Sequence, residues 1–325
     1  MRKNILLLFL LPVLSFTLIW GCSDDSTSSN KVDEYAVLVE YLEDDAGDFI
    51  NTTYTAIKSA EAVKTNMGTA GQYLIDIRSE ADFILGHVDG AVRVDFPDLI
   101  THVEGLTSNP TEIIIICYSG QTAAYGASLL RLLGHDNVYS MKFGMTSWHS
   151  TFDKWTTNCS NIRATEFETT NNPKGPVVDA PKLNTGEKEG ADILRARVQA
   201  VLDAGFSAGA TTHSAVFNDL DGYYINNYWP TEQYLNPGHI PGAINYVPKQ
   251  DLKSENYLNT LPADMKVVSY CYTGQGSAFL TAYLRVLGYD AYSLKFGANS
   301  MIHDLMPASK FGAGAIMEYD YVTGN

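Results

Sequence analysis

Residues 112–134, EIIIICYSGQTAAYGASLLRLLG, contain the motif on which the fold depends. Four isoleucines at 113–116 form a short continuous apolar run, which is typical of a strand buried on both faces of a parallel sheet. Cys117 follows directly, and a helical pattern begins near Thr122 and stops at Gly134. The pattern predicts a buried strand, a loop that opens on a cysteine, and a helix.

A cysteine at such a junction faces the unpaired N–H groups at the start of a helix. Those N–H groups and the helix dipole stabilise a thiolate and the anions with which it reacts. We therefore interpret Cys117 as a nucleophile and expect its thiol pKa to lie below the free value of ~8.5. The alternative is a small, packed apolar side chain, which is the commoner role of a lone cysteine at a strand end.

The motif occurs twice. Residues 266–288, KVVSYCYTGQGSAFLTAYLRVLG, repeat it with Cys271 in the place of Cys117, 154 residues further on. Two copies of a C-Y-[ST]-G-Q loop favour the nucleophile over the packed side chain. Strands alternating with helices around each copy predict an α/β fold, in which each repeat forms a parallel, doubly wound sheet flanked by helices.

Length and charge limit the possible functions. A chain of 325 residues corresponds to roughly two domains. The formal charge is −15, and it becomes −17 without Arg2 and Lys3. So acidic a surface repels nucleic acid and argues against a basic membrane-binding patch. Four cysteines are too few for a disulfide scaffold.

The amino terminus has the pattern of a lipoprotein signal peptide over residues 1–22. A short basic stretch precedes an apolar segment, 5–19, that is too short for a comfortable membrane span. The sequence IWGC, which ends at Cys22, resembles the bacterial lipobox, in which the cysteine is lipidated and becomes the first mature residue. The alternatives are an ordinary signal peptide or an uncleaved anchor.

The resemblance to a lipobox implies a polar tether over residues 23–32 and a lipid anchor as the chain's sole attachment to a membrane. Ser23 after the cysteine resembles the outer-membrane sorting choice of diderm bacteria. The expected location is therefore the bacterial cell envelope, at the outer membrane, on its periplasmic or surface side.

Three stretches of the first repeat carry a family resemblance: LIDIRSEADFILGHVDGA at 74–91, IIIICYSGQTAA at 113–124 and VYSMKFGMTSW at 138–148. Together they resemble the rhodanese domain, whose pattern is a D-x-R strand, G-H-x-x-G-A, a cysteine loop and L-x-G-G-x-x-x-W, in that order. The resemblance implies two rhodanese-like domains. With the helix that precedes each one, we place them at 33–160 and 191–325, and we interpret 161–190 as a linker because it is rich in Thr, Asn, Pro, Gly and charge.

Rhodanese-like domains use the cysteine as a sulfur acceptor and pass through a persulfide held by a six-residue loop. The resemblance therefore implies that Cys117 and Cys271 are catalytic. Lys142 and Lys295 follow the next strand, where each is either a solvated lysine or an attraction for an anionic donor. The loop residues that would bind the sulfur anion are Tyr118, Ser119, Gly120, Gln121 and Thr122 in the first repeat and Tyr272, Thr273, Gly274, Gln275 and Gly276 in the second.

The function that the resemblance implies is a sulfurtransferase, which moves sulfane sulfur from a donor such as thiosulfate to a thiophilic acceptor. The expected partner is a small sulfur-containing anion or thiol, with no cofactor, metal or nucleic acid. A related phosphatase pattern needs an arginine six residues after the cysteine, where Ala123 and Ser277 stand. Two alternatives stay open: a non-catalytic binding or sulfur-sensing module, and a disulfide between Cys117 and Cys159.

The second copy departs from the family pattern. Asn226 and Tyr228 are aligned with the Asp and Arg of the D-x-R strand, Gly276 stands where Thr122 does, and Met301 where Trp148 does. We therefore expect Cys117 to carry most of the activity. Phe143 replaces the first glycine of the usual pair, which predicts a crowded wall in the first site.

Overall fold

The computed structural model describes residues 32–69 and 71–324. From Asp33 onward the chain forms one compact unit. The proposed signal peptide, Cys22 and nearly all of the tether lie outside the described residues. Within the described part, no helix is long and apolar enough to cross a membrane.

The first repeat contains alternating strands and helices. Its strands are β1 (Ile57–Lys58), β2 (Gln72–Asp76), β3 (Val92–Arg93), β4 (Glu112–Ile116) and β5 (Val138–Met141). Its helices are α1 (Glu34–Glu40), which continues as a π-helical turn over Tyr41–Asp45, then α2 (Phe49–Thr52), α3 (Ala60–Asn66), α4 (Glu80–Leu85), α5 (Leu99–Glu104), α6 (Gln121–Leu132) and α7 (Met145–Trp148).

The second repeat has the same strands in the same order. They are β6 (Ala210–Thr211), β7 (Tyr223–Asn227), β8 (Ile244–Asn245), β9 (Lys266–Tyr270) and β10 (Ala291–Leu294). Its helices are α8 (Gly190–Ala204), α9 (His213–Asn218), α10 (Thr231–Leu235) and α11 (Gln275–Val286).

Both repeats build the same sheet. In the described residues each sheet has five strands, ordered β1-β5-β4-β2-β3 and β6-β10-β9-β7-β8, and all the pairings are parallel. Helices cover the faces, so the predicted parallel α/β fold with two doubly wound sheets is confirmed. The cysteines follow β4 and β9, and they therefore lie at the carboxyl edges of the sheets, where ligands bind in open α/β folds.

The isoleucine run forms the centre of the first sheet. All five residues of β4 are buried. Ile113 and Ile115 pack into the core cluster on one face, and Ile114 and Ile116 pack into the cluster on the other. The four isoleucines therefore pack into the cores on both faces of the sheet. This is why the strand is continuously apolar and does not alternate between apolar and polar residues.

Strand pairing corrects the expected alignment of the second repeat. Asp76 pairs with Ile116, the residue before the first cysteine, whereas Asn227 pairs with Tyr270, the residue before the second. Asn227 and Trp229, not Asn226 and Tyr228, are therefore the structural equivalents of Asp76 and Arg78. A slip of one residue sends a strand side chain to the opposite face of the sheet.

The contacts agree with the corrected register. The Arg78 guanidinium lies 5.0 Å from the centre of the Tyr118 ring, and the Trp229 ring stacks on Tyr272 at 4.9 Å. Each side chain thus covers the tyrosine that follows its own cysteine. The charged pair of the first repeat is replaced by an aromatic stack in the second.

The two repeats pack through their cysteine-loop helices. Ser128 in α6 donates a hydrogen bond to the carbonyl of Phe279 in α11 at 2.9 Å, and one core cluster includes side chains from both helices. The leading segments also cross between the repeats. Tyr35 in α1 contacts Tyr289, with 3.1 Å between the hydroxyl oxygens, and Arg195 in α8 forms a bidentate ion pair with Glu104.

The segments that follow the repeats are exchanged. After the first repeat, the chain runs along the second: the N–H of Arg163 donates to the Met301 carbonyl at 3.0 Å. After the second repeat, it runs along the first: the N–H of Tyr319 donates to the Trp148 carbonyl at 2.9 Å. Met301 and Trp148 occupy equivalent positions in the two repeats. Each repeat is therefore contacted at the same position by the segment that follows the other repeat.

Candidate active site

Cys117 lies at the end of β4 with its sulfur directed at the start of α6. The sulfur accepts hydrogen bonds from the backbone N–H groups of Gly120 at 3.2 Å and Ala123 at 3.3 Å. The side chain is buried, with 5% of its surface exposed. Two converging N–H donors form the kind of cradle that a thiolate or a persulfide anion needs.

The expected fall in the Cys117 pKa is wrong for this structure. Burial raises the pKa of the thiol, and the charge of Asp76 raises it further. The N–H groups of Ala123, Ser119 and Gly120 lower the pKa but do not offset the burial. The prediction used the helix start and neglected desolvation, which disfavours a buried thiolate.

A glycine holds the loop against the segment after β5. A Cβ atom at Gly144 would lie 2.2 Å from the Cys117 carbonyl oxygen and 2.6 Å from the Gly120 nitrogen, and the residue has φ near +60°. No other residue fits there. Phe143, which precedes it, adopts φ of 61° and packs edge-on against Trp155. Its ring therefore belongs to an aromatic cluster, and the expected crowding of the first site by Phe143 is wrong.

Each cysteine loop is joined to the other repeat by one hydrogen bond of a reciprocal pair. The Gln121 Oε1 atom accepts from the N–H of Phe296 at 2.7 Å, and the Gln275 Oε1 atom accepts from the N–H of Phe143 at 3.0 Å. Both glutamines are buried. These amides therefore fix one loop against the other repeat.

A cavity of about 780 Å³ lies over the first loop. The first repeat contributes Phe96, Lys154 and the loop residues Tyr118, Ser119, Gln121 and Thr122, and the second contributes Phe206, Lys295 and Phe296. Cys117 itself does not line the cavity, whose floor is the loop that follows it. The site is thus a cleft between the repeats.

The two predicted lysines have different surroundings. Lys295 of the second repeat lines the cavity over the first loop. Lys142 does not line it, and its ammonium lies 5.1 Å from the centre of the Phe143 ring. Lys154 takes the place expected for Lys142, since its ammonium lies 5.1 Å from the Tyr118 ring at the cavity wall.

The second cysteine has a different set of hydrogen bonds. The Cys271 sulfur accepts from the N–H of Ser277 at 3.2 Å and lies 3.7 Å from the Ser277 hydroxyl oxygen, to which the thiol can donate. The loop has a similar shape to the first, but one backbone N–H reaches the Cys271 sulfur, whereas two reach the Cys117 sulfur.

A tyrosine from the first repeat fills the space beside the second cysteine. A Cβ atom at Gly276 would lie 2.4 Å from the Tyr54 hydroxyl oxygen and 3.3 Å from the Cys271 sulfur. Tyr54 has φ of 68° and packs edge-on against Tyr228, with 4.7 Å between ring centres. The missing side chain at Gly276 is therefore the space that the Tyr54 hydroxyl occupies.

Other candidate residues serve the framework. Arg78 and Asp76 form a buried pair with N–O distances of 2.6 to 3.1 Å. His87 stacks on Phe83, and its Nδ1 atom lies 2.8 Å from the Phe83 carbonyl oxygen. Trp148 is fully buried beneath the exchanged segment instead of lining the cavity.

Two further observations concern the disulfide considered above and a possible metal site. Cys117, Cys159 and Cys271 are all free thiols, so the disulfide between Cys117 and Cys159 is absent from this structure. Across residues 32–69 and 71–324, no three His, Cys, Asp or Glu side chains are placed to hold a metal ion together.

Sequence reasoning missed Lys154, Phe206 and Tyr54. Each approaches a cysteine loop from outside the motif, and Phe206 and Tyr54 come from the opposite repeat. One feature of the sequence could have identified two of these residues. Phe206 and Tyr54 lie four and three residues before the first strands, β6 and β1, so the internal repeat places them at comparable positions.

Comparison with protein families gives two matches to the rhodanese-like domain, over residues 59–151 and 228–303. A thiosulfate sulfurtransferase GlpE of Shewanella oneidensis is 33% identical over 76 residues, which are 23% of this chain and 74% of that protein. GlpE of Ectopseudomonas mendocina is 31% identical over 98 residues, which are 29% of this chain and 83% of that protein.

Two solved structures align with larger parts of the chain. A thiosulfate sulfurtransferase from Pseudomonas aeruginosa has a TM-score of 0.32 and 16% identity, and the alignment covers 86% of this chain and 48% of that chain. SseA of Escherichia coli, described as a 3-mercaptopyruvate sulfotransferase, has a TM-score of 0.30 and 15% identity, with coverage of 73% and 98%.

Proposed function

Since the chain belongs to the rhodanese-like domain family, we propose that it is a sulfurtransferase that carries sulfane sulfur on Cys117 as a persulfide. The donor is a small sulfur-containing anion of the thiosulfate type, and the acceptor is a thiophile such as cyanide or another thiol. Lipidation at Cys22 would hold the enzyme at the cell envelope.

The reaction has two steps. In the first, the Cys117 thiolate attacks the outer sulfur of the donor, a new S–S bond forms, and the old S–S bond breaks to release sulfite when the donor is thiosulfate. In the second, the acceptor attacks the outer sulfur of the persulfide and restores the thiolate. Each preorganised N–H donor to the developing anion contributes ~3 kcal/mol by analogy with oxyanion sites.

The observation that carries the proposal is the convergence of the Gly120 and Ala123 N–H groups on the Cys117 sulfur. A cysteine that only packs in a core does not need such a cradle, because a neutral thiol is a weak hydrogen-bond acceptor. The open cavity over this loop supplies room for a donor. The second loop lacks the same room because Tyr54 approaches Cys271.

The test is cyanide-dependent release of thiocyanate from thiosulfate by the parent, Cys117→Ala, Cys271→Ala and the double variant. We expect Cys117→Ala to lose nearly all turnover and Cys271→Ala to keep most of it. Mass spectrometry after thiosulfate treatment should find a sulfur adduct on the peptide of Cys117. An active Cys117→Ala variant with an inactive Cys271→Ala variant would reverse the assignment.

The same experiment distinguishes the sulfurtransferase from the other candidate function. Degenerate rhodanese-like domains can act as binding or sulfur-sensing modules, and the occupied second site favours such a role for the second repeat. Full activity in the double variant, or none in the parent, would sink the enzyme proposal for the whole chain.

A further inference from the structure

The side-chain amide of Gln275 extends from the second cysteine loop into the first repeat. Gln275 is the fourth residue after Cys271 and is fully buried at the start of α11. Its Nε2 atom donates to the carbonyl of Gly120 at 3.3 Å and to that of Met141 at 3.4 Å. Its Oε1 atom accepts from the N–H of Phe143. One side chain of the second repeat therefore bonds three backbone groups of the first, in the cysteine loop and around the end of β5.

Gly120 links this amide to the first cysteine. The N–H of Gly120 is one of the two that donate to the Cys117 sulfur. A Cβ atom at Gly120 would lie 2.5 Å from the Gln275 Nε2 atom, so the amide packs directly on the Cα atom of this glycine. Because peptide groups are planar, only the φ and ψ angles of Gly120 separate its held carbonyl from the N–H that reaches the sulfur. Fixing the carbonyl therefore restricts the direction of the N–H.

The bond to Phe143 holds the same loop from its other side. Phe143 is buried, and its N–H would lose its acceptor without the Gln275 amide. A buried N–H without a partner is costly, so the turn after β5 would shift to find one. This turn lies against the loop at Gly144, where a Cβ atom would lie 2.6 Å from the Gly120 nitrogen. A shift of the turn thus also displaces the N–H of Gly120.

The glutamine of the first loop makes fewer contacts with the other repeat. The Gln121 Oε1 atom accepts from the N–H of Phe296, but its Nε2 atom donates to the Ser119 hydroxyl of its own loop at 3.0 Å. Among the described residues, no hydrogen bond joins the Gln121 Nε2 atom to the second repeat. The first loop is therefore held from the other repeat at more points than the second loop is.

We propose, on the basis of the sulfurtransferase function above, that Gln275 is a positioning residue for Cys117. Its amide holds Gly120 so that the Gly120 N–H stays directed at the thiolate and at the persulfide formed from it. Gln275 thus positions the cysteine loop of the other repeat, although it belongs to the loop of Cys271. The first site depends on the second repeat for the geometry of its cradle.

The test compares the parent with Gln275→Met, since methionine is of similar length but its thioether is only a weak acceptor and no donor. Alkylation of Cys117 and Cys271 by iodoacetamide is followed over a range of pH by mass spectrometry of their peptides. We expect the midpoint of the Cys117 profile to move up by about one pH unit, as loss of a hydrogen bond to a charged group predicts. The Cys271 profile should stay as in the parent. The midpoint is the readout because access of the reagent changes the rate at every pH alike, and Asp76, whose charge also raises the Cys117 pKa, is present in every variant.

Turnover and two further variants complete the test. Thiocyanate release from thiosulfate should fall about tenfold or more in Gln275→Met, because one donor to the anion is displaced. Gln275→Ala removes the same bonds with a good helix former and should give the same shift. Ser128→Ala is the matched control, since Ser128 also donates a buried hydrogen bond across the repeats, but between α6 and α11 and not at a loop. Its two profiles and its turnover should equal those of the parent.

The outcomes separate this inference from the proposed function. A Cys117 midpoint in Gln275→Met equal to that of the parent would overturn the inference. Changes of equal size at Cys117 and Cys271 would also overturn it, because they would assign Gln275 to general packing. A parent without turnover, whose Cys117 midpoint nevertheless depends on Gln275, would instead refute the sulfurtransferase and leave the hold of Gln275 on the cradle in place.

Discussion

Replacing Gly276 by alanine tests whether Tyr54 occupies the second site. The added Cβ atom would lie 2.4 Å from the Tyr54 hydroxyl oxygen, about 1 Å inside an ordinary contact of about 3.5 Å. The next Tyr54 atom is Cζ, at 3.2 Å. The hydroxyl oxygen therefore accounts for nearly all of the steric conflict.

Two opposing free energies decide the stability of Gly276→Ala. Gly276 lies in the first turn of α11 without a positive φ, so alanine should stabilise the helix by about 0.5–1 kcal/mol. Overpacking against Tyr54 costs about 1–3 kcal/mol. We expect a net destabilisation of about 1–2 kcal/mol. In a Tyr54→Phe background the conflict is largely removed, and the same substitution should be neutral or stabilising.

The assay is a double-mutant cycle measured by guanidinium chloride unfolding of the parent, Gly276→Ala, Tyr54→Phe and the double variant. The expected coupling energy between the two positions is about 1–3 kcal/mol. Thr122→Ala is the matched control, since Thr122 is the counterpart of Gly276 in the first loop and should not couple to Tyr54→Phe.

A second readout follows the chemistry of the cysteine. Displacement of the Tyr54 ring by Gly276→Ala, or its removal by Tyr54→Ala, should speed alkylation of Cys271 by iodoacetamide, with Cys117 as the internal reference. Additive stabilities in the cycle, together with an unchanged Cys271 rate in Tyr54→Ala, would refute the placement of Tyr54 in the second site.

Three further predictions concern acidity, the framework and the anchor. Because burial raises the Cys117 pKa, its alkylation rate should keep rising with pH beyond ~8.5, and a plateau near neutrality would contradict this. Asp76→Asn leaves the Arg78 guanidinium buried without its counter-charge, so denaturant unfolding should show a loss of about 3–5 kcal/mol, and a loss below about 1 kcal/mol would count against the pair. Cys22→Ser should abolish both labelling by a radioactive fatty acid and recovery in the membrane fraction, whereas retained label would exclude lipidation at Cys22.

The sequence was sufficient for features that depend on local patterns. The isoleucine run 113–116 predicted a doubly buried strand, and the helical pattern after Cys117 predicted α6 to within one residue of its start. Both follow from periodicity and from a strand-to-helix junction, and neither needs knowledge of distant contacts. The internal repeat then transferred the same prediction to the second half.

The details that sequence reasoning missed depend on contacts between distant segments. No local pattern indicates that the segment around Arg163 runs along the second repeat or that the segment around Tyr319 runs along the first. The one-residue error at Asn226 has a similar origin. Two asparagines in succession give no alternation from which to choose a face, so the register was fixed only by pairing with β9.

The expected fall in the Cys117 pKa failed for a different reason. The helix start was predicted correctly, and its N–H groups do reach the sulfur. Burial of the same atom acts in the opposite direction and is the larger effect. A sequence reveals which donors surround a cysteine more readily than it reveals how completely water is excluded from it.

Gly276 leads to one conclusion when only the sequence is considered and to another when the structure is considered. From the sequence, the glycine is a lost hydroxyl, and it predicts weaker binding of a sulfur anion in the second loop. In the structure the glycine is room for the Tyr54 hydroxyl, because any side chain at 276 would meet it. The lack of a side chain at Gly276 therefore leaves space for Tyr54, and the position of Tyr54 in turn disfavours a larger residue at 276. Tyr54 leaves less room beside Cys271, whereas a cavity lined in part by Phe206 and Lys295 stays open over the first loop. The tandem repeat thus supports one site assembled from both halves more strongly than it supports two independent sites.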